Sequence, residues 1–309
     1  MKILLTGGAG FIGSHLVEGY IKNDHNVIVV DNLFHPVKNF KQIIKKTKLY
    51  KADICDFDYL KKIFKKEKPQ AINHHAAQSS ISSKGINLFK TNVLGTLNLL
   101  KLSKEYKVKK FIFASSAAVY GHAKSFPIKE ESIIQPISEY GISKASAEYY
   151  INLFKDDFNT IIFRYSNVYG PRQDSTAEGG VISIFSENIK KGKQCLIFGN
   201  GKQTRDFINV KDVVNANLKA LKLKKSDTFN ISTAKETSII KLLELFYTTP
   251  PRGAAPPGGK KQVKYLKERA GEIRKSLLDN SKAKKNLFWR PRASLSFPTG
   301  LPAKGRLTA

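Results

Sequence analysis

The 309-residue chain contains few sulfur-bearing and few acidic residues, and each shortage excludes something. Its two cysteines, Cys55 and Cys195, are far apart and match no metal-ligand or redox spacing, so we expect neither a disulfide framework nor a metal site. No apolar run approaches the roughly 18 residues that a membrane-spanning helix needs. These shortages together predict a protein of the reducing cytoplasm with no membrane partner.

The shortage of acidic residues leaves a formal net charge of +28, from 53 basic and 25 acidic residues. Only nine of the basic residues are arginine, and the lysines are dispersed in pairs such as Lys61-Lys62 and Lys65-Lys66, whose spacing is typical of a solvated helix face. Nucleic-acid-binding proteins favour arginine with interleaved aromatic residues. The charge therefore does not predict a nucleic-acid partner, although it could attract a small anionic ligand.

Short apolar strands alternate with helical segments over the first half of the chain. This alternation predicts an α/β fold of the Rossmann type, with a doubly wound parallel sheet and a smaller C-terminal α/β lobe. We expect a nucleotide-binding domain over residues 1–170, with a returning segment near 204–235, and a mainly substrate-binding lobe over 171–309. Segments 248–259 and 293–309 are rich in proline and glycine and are predicted to be irregular. The predicted strands are Lys2–Thr6, Val27–Val30, Gln70–His74, Lys110–Ser115 and Thr160–Arg164, and the predicted helices are Ser14–Asn23, Asp58–Lys66, Phe89–Glu105 and Ser143–Lys155.

A glycine pattern follows the first predicted strand and opens the first helix. Gly7, Gly10 and Gly13 permit a tight turn, close approach of a pyrophosphate to the backbone, and close packing of helix on strand. Asp31 ends the second strand 18 residues after Gly13, where a carboxylate holds an adenosine ribose and repels a 2′-phosphate. The pattern predicts NAD, rather than NADP, as the cofactor.

Three further side chains point to acid–base chemistry. Ser116 follows an apolar strand, and Tyr140 and Lys144 are spaced to lie on one face of a helix. A phenol with a pKa near 10 is a poor base at neutral pH, but an adjacent ammonium group and a cationic nicotinamide both favour the phenolate. Ser116, Tyr140 and Lys144 are therefore the predicted catalytic residues.

The chain resembles the extended short-chain dehydrogenases/reductases and, among these, the NAD-dependent epimerase/dehydratase family, closest to the UDP-glucose 4-epimerases. The resemblance covers nearly all of residues 1–247 and resumes over 260–292. The matching stretches are TGGAGFIGSHL (Thr6–Leu16), VVDNL (Val29–Leu33), KADICD (Lys51–Asp56), HHAAQ (His74–Gln78), TNVLGTLNLL (Thr91–Leu100), FASSAAVYG (Phe113–Gly121), YGISK (Tyr140–Lys144), FRYSNVYGPR (Phe163–Arg172) and TRDFINVKDV (Thr204–Val213).

The resemblance implies a set of binding residues and a homodimer. Positions that line the NAD site of the family are occupied here, besides the three glycines, Tyr140 and Lys144, by Phe11, Ile12, Asp31, Asn32, Asp53, Ile54, His75, Ala76, Ala77 and Asn92. Positions that hold the substrate are occupied, besides Ser116 and Tyr140, by Asn167, Arg205, Arg269 and Ser276. The helices over Phe89–Glu105 and Ser143–Lys155 are where the family forms its dimer interface.

The residues after Ser116 favour one reaction of this family. Dehydratases commonly carry an acid just after the catalytic serine or threonine, and this chain has Ala117-Ala118-Val119-Tyr120 there. The expected activity is therefore 4-epimerisation of a UDP-hexose through a transient 4-keto sugar. The small side chain of Ser276 leaves room for an N-acetyl group, so UDP-GlcNAc stays open as a substrate. UDP-glucuronate also stays open. A nonenzymatic NAD-binding protein is the remaining alternative.

Overall fold

The computed structural model describes residues 1–79, 85–175, 180–248, 262–269 and 271–295. The predictions of irregular structure over 249–259 and 296–309 concern residues outside these ranges. The strands are β1 (Lys2–Thr6), β2 (Asn26–Asp31), β3 (Lys48–Lys51), β4 (Ala71–His74), β5 (Lys110–Ser116), β6 (Asn159–Tyr165), β7 (Asn167–Tyr169), β8 (Cys195–Phe198), β9 (Thr204–Asn209), β10 (Asp227–Ile231), β11 (Glu236–Ser238) and β12 (Val263–Leu266). The α-helices are α1 (Phe11–Lys22), α2 (Phe40–Ile43), α3 (Phe57–Glu67), α4 (Ile86–Phe89), α5 (Gly95–Glu105), α6 (Glu139–Asn152), α7 (Val181–Lys190), α8 (Val210–Ala220), α9 (Ile239–Thr248) and α10 (Ser281–Asn286).

Seven parallel strands form the main sheet, in the order β10-β6-β5-β4-β1-β2-β3. Their near-continuous apolar sequences are buried because helices cover both faces. The strand order reverses between β1 and β4, and ligands of doubly wound sheets bind at such a point, beyond the carboxyl ends of the strands. The Rossmann-type fold predicted from the sequence is confirmed.

The remaining strands form two small sheets, one of order β11-β9-β7 and one of order β12-β8. Helices α7 and α9 share a separate apolar core with them, in which Phe185, Phe207 and Phe246 are buried. Strand β10 pairs with β6 and so returns to the main sheet, whereas β9 does not. The proposed division into domains 1–170 and 171–309 stays a prediction.

Several boundaries differ from those expected. Helix α6 begins at Glu139, four residues before the predicted start, because the hydroxyl of Ser138 accepts a hydrogen bond from the backbone N–H of Gly141 and caps the helix. This start places Tyr140 inside the helix. The single helix expected over Phe89–Glu105 is divided into α4, a π-helical segment over Lys90–Leu94, and α5. A 3-10 helix over Ala117–Tyr120 follows β5 directly.

The described residues contain neither a membrane-spanning helix nor a cluster of metal-ligating side chains. None of their helices combines the length and the apolar character that crossing a bilayer requires. Within the same ranges, no group of three or more His, Cys, Asp or Glu side chains could hold a metal ion. His74, which adjoins His75 in sequence, is instead buried between the hydroxyls of Thr6 and Thr96, at 2.7 and 2.9 Å from its ring nitrogens.

Candidate active site

A cleft of about 790 Å³ lies at the carboxyl edge of the main sheet and contains most of the predicted cofactor residues. Its volume is within the usual range for ligand pockets, about 300–1,000 Å³. The predicted residues that line it are Gly7, Gly10, Phe11, Ile12, Gly13, Asp31, Asn32, Asp53, Ile54, His75, Ala76, Ala77, Tyr140 and Lys144. Residues from five separate sequence motifs therefore meet at one place.

The glycine turn between β1 and α1 has no room for side chains at two of its positions. Gly7 adopts φ +70°, and a Cβ built on it would lie 2.6 Å from the backbone nitrogen of Ala76. A Cβ on Gly13 would lie 2.0 Å from the carbonyl oxygen of Gly7. At Gly10, by contrast, a Cβ would meet only that same oxygen, at 3.4 Å. Gly7 and Gly13 are thus required by packing, whereas Gly10 leaves space in the cleft.

Asp31 is fixed at the end of β2 by two backbone donors. One carboxylate oxygen accepts the N–H of Ala9 and the other accepts the N–H of Leu33, each at 2.8 Å. Burial raises the pKa of the carboxyl group above its ordinary value, and these two hydrogen bonds oppose the rise. The carboxylate therefore lies in the cleft at a fixed orientation, next to the glycine turn.

The three predicted catalytic side chains come together between β5 and α6. The Ser116 hydroxyl lies beside the Tyr140 phenol and acts to lower its pKa. The Lys144 ammonium donates to the carbonyl oxygen of Ala114 at 2.8 Å and lies 5.8 Å from the centre of the Tyr140 ring. Lys144 is only 2% exposed, so its charge is almost completely removed from water.

Burial shifts the pKa values of both Tyr140 and Lys144. Desolvation raises the pKa of Tyr140 to about 12, although the Ser116 hydroxyl opposes the rise. Desolvation also lowers the pKa of Lys144 to about 7, which the negative charge of Glu148 opposes. The neighbouring ammonium group therefore does not by itself bring the phenol into the neutral range, because the buried site weakens that charge and disfavours the phenolate.

Two other cofactor candidates differ in their position. His75 lines the cleft and stacks on the ring of Tyr165; burial lowers its pKa to about 3, and none of the described residues hydrogen bonds its buried Nδ1. Asn92 does not line the cleft. Its amide group bonds both backbone groups of Gln78, at 2.8 and 2.9 Å, and so supports the cleft wall from behind.

The candidates for substrate binding lie apart from the cofactor cleft. Asn167 donates to the carbonyl oxygen of Asp206 at 3.3 Å, and Arg205 pairs with Glu272 at 3.2 Å. The guanidinium group of Arg269 lies 3.7 Å from the centre of the Phe198 ring, and Ser276 is buried. A second cleft, of about 280 Å³, is lined by Phe198 and Glu272 together with Gly199, Asn200, Lys202, Gln203, Glu268 and Arg274.

The sequence reasoning missed several residues of the cofactor cleft. The loop that follows β2 contributes five consecutive side chains, from Phe34 to Lys38, and Tyr165 and Arg172 contribute from the other side. Tyr165 and Arg172 belong to the FRYSNVYGPR stretch, which was a usable signal. The loop after β2 carries no motif, so only its position after the strand could have indicated it.

Comparison with known proteins agrees with this geometry. The model of the NAD dependent epimerase/dehydratase family matches residues 3–232. A UDP-glucose 4-epimerase of Mycolicibacterium smegmatis is 35% identical over 96% of this chain and 95% of its own length. The crystal structure of a Thermotoga maritima UDP-glucose 4-epimerase with UDP-glucose is 41% identical, with a TM-score of 0.89 over 96% of this chain and 95% of that one. A UDP-N-acetylglucosamine 4-epimerase of Methanobrevibacter ruminantium, in complex with UDP-N-acetylmuramic acid, is 33% identical, with a TM-score of 0.85 over 94% and 93%.

The fold and the site together define an extended short-chain dehydrogenase/reductase. The chain belongs to the NAD-dependent epimerase/dehydratase family, and its cofactor is NAD. The residues present fit that cofactor, because Gly10 leaves the turn open towards the cleft and a buried nitrogen of His75 faces it without a protein partner. The predictions of family, fold and cofactor are therefore confirmed.

Proposed function

We propose that the protein catalyses the reversible 4-epimerisation of a UDP-hexose, interconverting UDP-glucose and UDP-galactose through a transient 4-keto sugar. The observation that carries the proposal is the contact of Ser116 with Tyr140 above Lys144, at the edge of the NAD cleft. No carboxylate follows Ser116, since residues Ala117–Tyr120 form a 3-10 helix of apolar and aromatic side chains. Dehydration needs an additional acid–base group, so this local sequence favours epimerisation over dehydration.

Tyr140 is assigned as the acid–base group. As the phenolate it takes the proton of the sugar 4-hydroxyl, and as the phenol it later returns that proton, while Ser116 beside it orients the sugar hydroxyl. Bound NAD supplies a reversible two-electron acceptor and, in its oxidised form, a positive charge. That charge, added to the Lys144 ammonium, brings the raised pKa of Tyr140 down towards the working pH.

The cofactor-binding residues are proposed as the glycine turn, Asp31 and the other predicted residues that line the cleft. Asp31 is assigned to the adenosine ribose, where its carboxylate would repel a 2′-phosphate. Asn167, Arg205 and Arg269 are assigned to the nucleotide diphosphate of the substrate. Arginine suits this role because its planar group binds phosphate oxygens in a bidentate manner. Arg205 is pre-oriented by Glu272, which holds one side of its guanidinium group.

Ser276 favours a second substrate. It is buried beside β9, where its backbone N–H donates to the carbonyl oxygen of Thr204 at 3.2 Å. Its small side chain leaves space next to the proposed sugar site, which favours acceptance of UDP-GlcNAc as well as UDP-glucose. The similarity to a UDP-N-acetylglucosamine 4-epimerase supports this second candidate.

A homodimer is also proposed, through α6 and the helical segment from α4 to α5. Several large apolar side chains of α4, of the π-helical segment and of α6 with its C-cap residue face solvent in the single chain. Leu153 is 74% exposed and Tyr149 is 60% exposed, whereas the inner face of α6 is buried. The other large apolar residues exposed on this surface, which we call the α5/α6 face, are Ile86, Phe89, Leu94, Ile142 and Tyr150. An apolar surface of this extent is typical of a protein–protein interface.

One experiment tests the proposed function directly. Purified protein is mixed with UDP-galactose, and the formation of UDP-glucose is followed, with the Tyr140→Phe variant as the control. We expect turnover by the wild type and a loss of about 10²–10⁴-fold in the variant, which keeps the ring but has no proton to transfer. Binding of RNA that weakens with salt, without any turnover, would instead favour the nonenzymatic alternative.

A further inference from the structure

One buried carboxylate close to the site has no role in the proposed mechanism. Glu148 is 1% exposed and lies on α6, four residues after Lys144. Its two oxygens accept three hydrogen bonds from the guanidinium group of Arg164, at 2.7 to 3.1 Å, and one from the hydroxyl of Ser115. A buried carboxylate with this many donors is fixed in one orientation.

Arg164 is in turn fixed by neighbours outside α6. It lies on β6, directly opposite Ser115 in the register of the main sheet. Its Nη1 donates to the hydroxyl of Tyr120 at 2.9 Å and to the carbonyl oxygen of Glu130 at 2.8 Å. The guanidinium group also lies 4.9 Å from the centre of the Tyr120 ring. The ion pair therefore joins α6 to β6 and to the segment that follows β5.

Three side chains of α6, each one helical turn after the last, lie against the end of β5. Glu148 accepts the hydroxyl of Ser115, Lys144 donates to the carbonyl oxygen of Ala114, and Tyr140 lies beside the Ser116 hydroxyl. Because Glu148 is fixed to Ser115 on β5 and to Arg164 on β6, it restrains the position of α6 on the sheet and therefore the position of Tyr140 relative to Ser116.

The charges around Lys144 make the Glu148 carboxylate important electrostatically as well. Opposing burial, the carboxylate raises the pKa of the Lys144 ammonium group. The titratable or charged groups that face Lys144 or its neighbour Glu148 are Tyr140 on α6, His74 and His75 at the end of β4, and Arg164 on β6. Burial keeps the pKa of both histidines low, so both are neutral at pH 7.

We propose that Glu148, held by Arg164 and Ser115, is a positioning residue for the active site. It fixes α6 on β5 so that Tyr140 meets Ser116, and its negative charge keeps Lys144 in the ammonium form near neutral pH. This inference rests on the proposed function for its kinetic consequence. Its electrostatic consequence is a property of the protein without substrate.

The first test measures the titration of Lys144 by NMR in protein labelled with ¹³C at lysine Cε, without substrate. The Lys144→Met variant assigns the signal, and this separates it from Lys110, whose pKa is lowered to about 8. In Glu148→Gln, which keeps the size and most hydrogen-bonding atoms but not the charge, we expect the Lys144 midpoint to fall by about one pH unit or more. A midpoint equal to that of the wild type would overturn the proposal.

Two matched variants separate charge from packing. Ser115→Ala removes one hydrogen bond to the carboxylate but no charge, and Glu148→Asp keeps the charge on a shorter side chain. Both variants should lower the thermal midpoint. We expect both to keep the Lys144 midpoint within about half a pH unit of the wild type, because an opposite charge is retained one helical turn away. If Glu148→Gln does not fold, a fall of the Lys144 midpoint by about one pH unit or more in Glu148→Asp would contradict the proposal.

The kinetic test compares pH profiles of turnover with UDP-galactose. The fall of kcat on the alkaline side should move to lower pH by about one unit in Glu148→Gln, because Lys144 loses its proton earlier. KM should change less than about twofold, since Glu148 does not touch the substrate. An unshifted profile with a uniformly reduced kcat would show a purely structural role and would overturn the inference.

Lack of turnover in the wild type would count against the proposed function alone, because the NMR titration would still test Glu148.

Discussion

Two glycines of the same turn should respond in opposite ways to the same substitution. In Gly13→Ala, the new methyl group would lie 2.0 Å from the carbonyl oxygen of Gly7 and 2.8 Å from two further backbone carbons. In Gly10→Ala, the only atom within 4 Å is that oxygen, at 3.4 Å. The first substitution therefore acts on the folded backbone, whereas the second places its methyl group in the NAD cleft.

The magnitudes follow from these distances. Ordinary carbon contacts lie at about 3.5–4.0 Å, so in Gly13→Ala the methyl group and the carbonyl oxygen must separate by more than about 1 Å. Overpacking of this kind costs about 1–3 kcal/mol, and we expect the upper end because a backbone oxygen has no rotamer to change. The higher helix propensity of alanine offsets about 1 kcal/mol of this cost. The net loss of about 2 kcal/mol corresponds to a fall of about 4–8 °C in Tm.

Gly10→Ala should lower Tm by no more than about 3 °C, because Gly10 is the N-cap of α1 with φ −78°, a conformation that alanine also adopts. The preference for glycine over alanine at an N-cap is worth less than about 1 kcal/mol. Its affinity for NAD should fall at least about tenfold, a change of about 1.4 kcal/mol, since a methyl group replaces the space for the pyrophosphate. Thermal unfolding in rising concentrations of NAD measures both quantities in one assay. An unchanged Tm in Gly13→Ala, or unchanged NAD affinity in Gly10→Ala, would refute this account of the turn.

Three other predictions concern pH, assembly and sugar choice. Burial lowers the pKa of His74 in the folded protein, so its contribution to stability is present above the unfolded pKa of about 6.5 and is lost as the pH falls. The free energy of unfolding, measured with urea, should therefore decrease from pH 7 to pH 5, and the decrease should be smaller in His74→Gln. Leu153→Lys on the α5/α6 face should shift sedimentation towards the monomer, whereas Phe288→Lys, at a site 79% exposed elsewhere, should not. Ser276→Tyr should reduce kcat/KM for UDP-GlcNAc about tenfold or more and leave that for UDP-glucose within about threefold; unchanged UDP-GlcNAc turnover would exclude the proposed role.

The sequence was sufficient for the features that depend on local backbone chemistry. The glycine turn, the strand before it and the carboxylate of Asp31 follow from spacing alone, because only glycine fits the positions at Gly7 and Gly13. The parallel sheet follows from the alternation of apolar strands with helices. The pairing of Tyr140 with Lys144 follows from helix periodicity, even though the predicted start of α6 was four residues too late.

Other features depend on contacts between residues distant in sequence, and periodicity does not contain them. The raised pKa of Tyr140 results from burial, which depends on how distant segments pack around the phenol and not on the spacing of Tyr140 and Lys144. The pairing of Glu148 with Arg164 requires the register of β5 on β6. The π-helical segment over Lys90–Leu94 changes the path of a helix that the sequence pattern predicted as continuous.

In the proposed reaction, the hydrogen removed from C4 of the sugar returns to the same carbon. UDP-galactose carrying deuterium at C4 is incubated with the enzyme in water, and unlabelled UDP-galactose is incubated with it in deuterium oxide. The UDP-glucose from each incubation is then analysed by NMR. We expect complete retention of the C4 deuterium in the first product and no carbon-bound deuterium in the second. Loss of the label to water, or a 4-keto-6-deoxy sugar that carries solvent deuterium, would contradict it.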